Sequence, residues 1–85
     1  MELHHIRSFV AIAEKLSFSR AAELLHITQP PLSRHIKQLE EELGVQLFER
    51  DSRRVALTPE GRDLLRIAQV ALQSLDGLTE QAQQQ

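Results

Sequence analysis

The chain contains no cysteine. This excludes a disulfide framework and any thiolate metal site, and it suits a reducing cytoplasm. No apolar run is long enough to span a bilayer, and no signal-peptide pattern opens the sequence, so neither a membrane partner nor export is expected. A glycine-rich phosphate loop is missing as well. So is an excess of basic charge: 10 Lys and Arg stand against 12 Asp and Glu, for a formal net charge of −2. That balance does not exclude a nucleic-acid partner, which needs basic residues gathered on one surface and not a basic total. At 85 residues the chain makes one small domain with a modest core, so a dimer partner is a source of extra stability. The four histidines, His4, His5, His26 and His35, show neither metal-ligand spacing nor a partnered acid suited to catalysis. No catalytic residue, metal or cofactor is expected, and the histidines read as surface or rim positions.

What is present centres on residues 28–39. At about 100° per residue, Leu32, Ile36, Leu39 and Leu43 fall on one narrow face. The opposite face carries Pro30, Arg34, Lys37 and Gln38, with Ser33 at its margin, and no carboxylate occurs between Leu24 and Leu39. An apolar back with a basic, amide- and hydroxyl-bearing front is what reading a major groove requires. Arginine pairs bidentately with guanine and glutamine with adenine, and an apolar group touches the thymine methyl. From this stretch alone an ordinary solvated helix face fits equally well.

Taken in order, residues 2–16 read as a helix. Leu3, Ile6, Phe9, Val10, Ala13 and Leu16 share one arc, and His4, Arg7, Ser8, Ala11, Glu14 and Lys15 cover the other side. Ile12 is expected at the rim of the core, with a dimer contact as the alternative. Ser17 caps a short helix over residues 18–25, on which Ala21 and Ala22 permit a following helix to pack closely. The turn at residues 25–27 lacks the glycine common in helix-turn-helix units. Thr28 caps a third helix, with Pro30 and Pro31 in its first turn, where backbone N–H groups have no intrahelical partner. Leu43 ends it and Gly44 is its C′ residue. Glu40, Glu41 and Glu42 oppose the helix dipole at exposed sites, so only the N-terminal half suits an approach to phosphates.

Residues 45–57 then present two short apolar runs around the polar tip Asp51-Ser52-Arg53-Arg54, which predicts a small β-hairpin. Attached to a helix-turn-helix, it is a wing, whose Arg53 and Arg54 can reach a phosphate or the minor groove. A solvated charged turn is the alternative. Thr58, Pro59 and Glu60 open a last helix. Along it Gly61, Leu64, Ala68, Ala71, Leu75, Leu78 and Ala82 recur at three and four, a heptad-type seam of about three repeats. So small a domain cannot cover that seam, so the expected partner is the same helix of a second copy; packing on the chain's own first helix is the alternative. Gly77 costs roughly 1 kcal/mol relative to alanine, which weakens the tail, and Gln81 with Gln83, Gln84 and Gln85 reads as the start of a linker.

These residues together resemble the LysR-type transcriptional regulator family. The likeness runs from Met1 to about Gln73 and rests on residues 9–14, 17–25, 29–34, 39–44, 47–50 and 57–61, which read FVAIAE, SFSRAAELL, QPPLSR, LEEELG, LFER and LTPEG. It implies a mainly α fold: a winged helix-turn-helix of three helices plus a small β-hairpin wing over residues 1–58, then a long linker and dimerisation helix over 59–85. It implies that Gln29, Pro30, Ser33 and Arg34 meet bases or nearby backbone in the major groove, that Thr28, Lys37 and Arg50 meet phosphates, and that Arg53 enters the minor groove. Dimerisation falls to Leu64, Ala68, Ala71, Leu75 and Leu78. His35 stands where relatives often carry glutamine, so the base preference at that contact does not carry over. The QPPLSR form resembles regulators of aromatic-compound catabolism. Family members carry a second domain that binds a small-molecule inducer, expected beyond the end of this sequence, and full-length tetramers are compatible with the pattern.

The expected function is therefore transcriptional regulation by sequence-specific binding of double-stranded DNA, as a homodimer on an interrupted palindrome. A helical module whose basic face meets an acidic protein is the competing reading, and an enzyme the least supported.

Overall fold

In a computed structural model, which describes residues 1–50 and 53–84, four helices occur: α1 (Leu3–Lys15), α2 (Phe18–Leu25), α3 (Gln29–Leu43) and α4 (Pro59–Gln83). The first helix is central, and α2, α3 and α4 all pack on it. This position corrects the one-sided reading of α1. Ser8 and Ala11, expected on its polar side, are buried, and Ile12, expected at the rim, is wholly enclosed. A helix covered on three sides has no room for a broad polar face. Conversely, Leu3 is 46% exposed at the start of the arc and Leu16 is 56% exposed after its end. Leu16 lies outside the helix, in the left-handed region at φ 51°, where its N–H bonds the Ile12 carbonyl.

The turn after α2 works without glycine. Ser17 Oγ accepts from the Arg20 N–H at the start of the helix, and His26 takes the left-handed conformation at φ 59° at its end. Histidine tolerates that region better than β-branched residues do. The His26 and Ile27 N–H groups then close on the Glu23 and Ala22 carbonyls, satisfying the last turn. Ala21 and Ala22 are buried, which lets α3 cross close to α2. Thr28 occupies the N-cap position of α3 but its side chain makes no capping hydrogen bond. With Pro30 and Pro31 in the first turn, two of the N–H groups a cap would serve do not exist. Gly44 ends α3 at φ 73°.

The expected wing lies between α3 and α4. Among the described residues its pairing is one antiparallel bridge, Phe48 to Leu57, flanked by hydrogen bonds from the Glu49 N–H to the Ala56 carbonyl and from the Thr58 N–H to the Leu47 carbonyl. The expected tip residues Asp51 and Ser52, like Gln85 in the expected linker, lie outside the described residues. Leu47 and Phe48 are buried, and the Phe48 ring meets Phe9 edge-on at 5.8 Å and Phe18 at 6.3 Å. The wing therefore grows out of the core.

Helix α4 starts from the same knot. Thr58 Oγ1 donates to the Gln46 carbonyl at 2.6 Å and accepts from the Gly61 N–H at 2.9 Å. Gly61 is required there by space: a Cβ would lie 2.2 Å from the Leu47 carbonyl oxygen. Beyond it Leu64, Leu65, Ala68 and Leu72 pack against the core, so the first half of the helix does lean on its own domain. From Gln73 to Gln84 every residue is exposed, and the helix runs through Gly77 to Gln83. At 1.5 Å per residue it is about 38 Å long, most of the 49 Å long axis of the molecule.

Candidate nucleic-acid interface

The site is built outward from the back of α3. Leu32, Ile36 and Leu39 are buried, while Leu43, one turn on, is 38% exposed. With that back fixed, helical geometry turns Pro30, Ser33, Arg34 and Lys37 outward. Every expected DNA contact is exposed: Thr28, Gln29, Pro30, Ser33, Arg34, Lys37, Arg50, Arg53 and Arg54. Among the described residues no ion pair engages Arg34, Lys37 or Arg53. Lys37 and Arg50 line the same shallow concavity, with Glu41 and Gln46. The structure thus brings a cation from α3 and one from the foot of the wing together.

One residue of this region belongs to a different class from the one expected. Glu40, read as an exposed helix acid, is buried. Its carboxylate accepts the Leu47 N–H at 2.7 Å and the Phe48 N–H at 3.4 Å, and it pairs with the Arg50 guanidinium. An acid at the end of α3 therefore holds the foot of the wing, and Arg50 is held at a fixed place while its side chain stays 58% exposed. The signal was available: on the wheel Glu40 follows Ile36 by one turn, at the edge of the buried face. Gly61, read as the first seam position, likewise serves the junction of wing and α4.

His35, at the position where relatives often carry glutamine, turns its ring back toward α1. Its Nδ1 shares a 2.8 Å hydrogen bond with Ser8 Oγ, and its centroid lies 4.6 Å from His4 and 5.4 Å from His5. Desolvation by its surroundings, then the nearby His4, His5 and Arg34, holds its pKa below the usual histidine value. Among the described residues no group of three His, Asp or Glu is arranged to hold a metal.

On α4 the expected dimer residues divide. Leu64 and Ala68 face their own core, whereas Ala71, Leu75 and Leu78 are exposed. Ile67, which was not singled out, is 66% exposed and shares their stripe. No described helix is long and apolar enough to cross a membrane.

Residues 3–62 match the family of bacterial regulatory helix-turn-helix proteins, lysR family. The chain belongs to the LysR family. It is similar to the HTH-type transcriptional regulator BenM of Acinetobacter baylyi, with 55% identity over 76 residues, 89% of this chain and 25% of BenM. It is similar also to the HTH-type transcriptional regulator AlsR of Bacillus subtilis, with 49% identity over 98% of this chain and 28% of AlsR. The LysR-family chain thus spans about a quarter of the length of these curated relatives. A crystal structure of BenM_DBD in complex with benA site 1 DNA superposes on 99% of this chain and 94% of that one, with a TM-score of 0.93 and 50% identity. The four-helix architecture is therefore that of a LysR-type DNA-binding domain, α2 and α3 being its helix-turn-helix.

Proposed function

We propose that this LysR-type domain reads double-stranded DNA as a homodimer and serves transcriptional regulation in the cytoplasm, as a binding module and not an enzyme. The observation that carries the reading is the front of α3: a helix anchored by a buried back presents Ser33, Arg34 and Lys37 to solvent, with no carboxylate in its first half. Gln29, Pro30, Ser33 and Arg34 meet base edges or nearby backbone in the major groove. Thr28, Lys37 and Arg50 take phosphates, and Arg53 and Arg54 reach the minor groove. Arg50 suits its task because Glu40 sets its position before DNA arrives.

Residues 59–85 supply the dimer contact. The exposed stripe of Ile67, Ala71, Leu75 and Leu78 continues into an apolar groove lined by Leu3, Ile6, Leu43 and Leu64. A second copy of α4 covers both at once, and two-fold symmetry then calls for an interrupted palindrome. Binding of a small inducer belongs to a further domain, as the family resemblance implies. The narrower assignment to aromatic-compound catabolism rests on the form of residues 29–34. Titration against a palindromic duplex at several salt concentrations tests the reading. Affinity should fall steeply with salt as counterions are released, and binding indifferent to salt would contradict it.

A further inference from the structure

Sequence spacing gave no reason to join His4, His5 and His35, which lie on two helices, yet their rings form one layer between α1 and α3. His4 and His5 are 4.5 Å apart, and both lie against His35. Two of the rings are committed through Nδ1. His5 Nδ1 accepts the Glu2 N–H at 3.4 Å, and His35 Nδ1 shares its bond with Ser8 Oγ. His5 and Ser8 are buried at 5% and 1% exposure. A proton on His5 would turn its Nδ1 from acceptor to donor and orphan the Glu2 N–H. A proton on His35 would place a charge between two other imidazoles and beside Arg34.

We propose that this imidazole layer is a proton-sensitive seat for the recognition helix: neutral rings dock α3 on α1, charged rings push it off, and DNA binding weakens on acidification. The inference rests on the DNA-reading role of α3 only for its last step. The charged groups around the layer act in both directions. On α3, Arg34 works with the effect. Glu2 at the head of α1 and Glu41 and Glu42 on α3 share a concavity with His4 and His5 and work against it, although Glu42 is already paired with the Met1 amino group at 2.8 Å. None of the residues lining that concavity comes from α2 or α4.

The sign follows from linkage. His35 is held below its ordinary value near 6.5 in the folded chain, so the unfolded chain takes up its proton first. Its contribution to stability is complete above that value and is lost as pH falls below it. The test compares the wild type with His35→Gln from pH 7.5 to pH 5.5, by urea unfolding and by duplex binding. The wild-type midpoint should fall over this range while that of the variant moves much less. Wild-type affinity should fall about threefold further than the variant's, a change of the size a partial histidine shift supports. If the variant does not fold, NMR titration of the wild-type ring protons decides, with His35 expected to titrate below the ordinary histidine value near 6.5. Equal pH responses of the two proteins, or His35 titrating at or above that ordinary value, would overturn the proposal. Absence of duplex binding by either protein at pH 7.5 would overturn the DNA reading alone, and the unfolding comparison would still decide the seat.

Discussion

Leu32, Ile36, Leu39 and Glu40 on the back of α3 are buried, while Ser33, Arg34 and Lys37 on its front are exposed, although the two sets alternate along the same turns. The back is closed: its apolar groups meet α1 and α2, and the Glu40 carboxylate is taken up by two backbone N–H groups and Arg50. The front leaves the donors of Ser33, Arg34 and Lys37 exposed to solvent. Positioning and recognition are thus separated by about half a helical turn. A substitution on one face should change stability, and a substitution on the other should change binding at constant stability.

The largest effect is expected at the junction that supports the back. Gly61→Ala places a methyl group 2.2 Å from the Leu47 carbonyl oxygen. Overpacking against backbone should cost about 3 kcal/mol, the upper end of the usual range, read as a lowered denaturation midpoint. Retention of wild-type stability would mean that α4 does not approach the wing this closely. Next comes Glu40→Ala. It leaves the buried Leu47 and Phe48 N–H groups without their acceptor and should cost about 2 kcal/mol. Loss of DNA affinity without loss of stability would make Glu40 a front-face residue after all and erase the contrast. The smallest of the three is Lys37→Ala. No stability change is expected at this exposed site. Affinity should weaken about equally on all sequences, with the salt slope smaller by about one. A sequence-dependent loss would move Lys37 from phosphate contact to base reading.

The elements of the fold were largely legible. Helix ends followed from Ser17, Gly44 and Thr58-Pro59, and the stripe of α3 from the spacing of Leu32, Ile36 and Leu39, because caps and periodicity are local signals. What escaped prediction depends on neighbours. Ser8, Ala11 and Ile12 are buried because three helices converge on α1, which no single wheel can show. Glu40 was grouped with Glu41 and Glu42 as an exposed acid, since three consecutive carboxylates look alike until Leu47 and Phe48 fold back on one of them. The histidine layer joins positions some thirty residues apart, and its ring contacts arise only once α3 lies across α1. All nine residues expected to contact DNA are exposed, whereas the ring of His35 turns inward, because its place on the wheel borders the buried face.

Arg34 tests the central claim most directly, through duplex affinity and unfolding free energy measured together for the wild type and Arg34→Ala. Loss of a bidentate base contact should cost about 1–3 kcal/mol of binding, or roughly 5- to 150-fold in Kd, with preference relaxed at one base pair and the unfolding free energy unchanged. Unchanged affinity, or an affinity lost only in step with stability, would contradict the assignment of the α3 front to DNA.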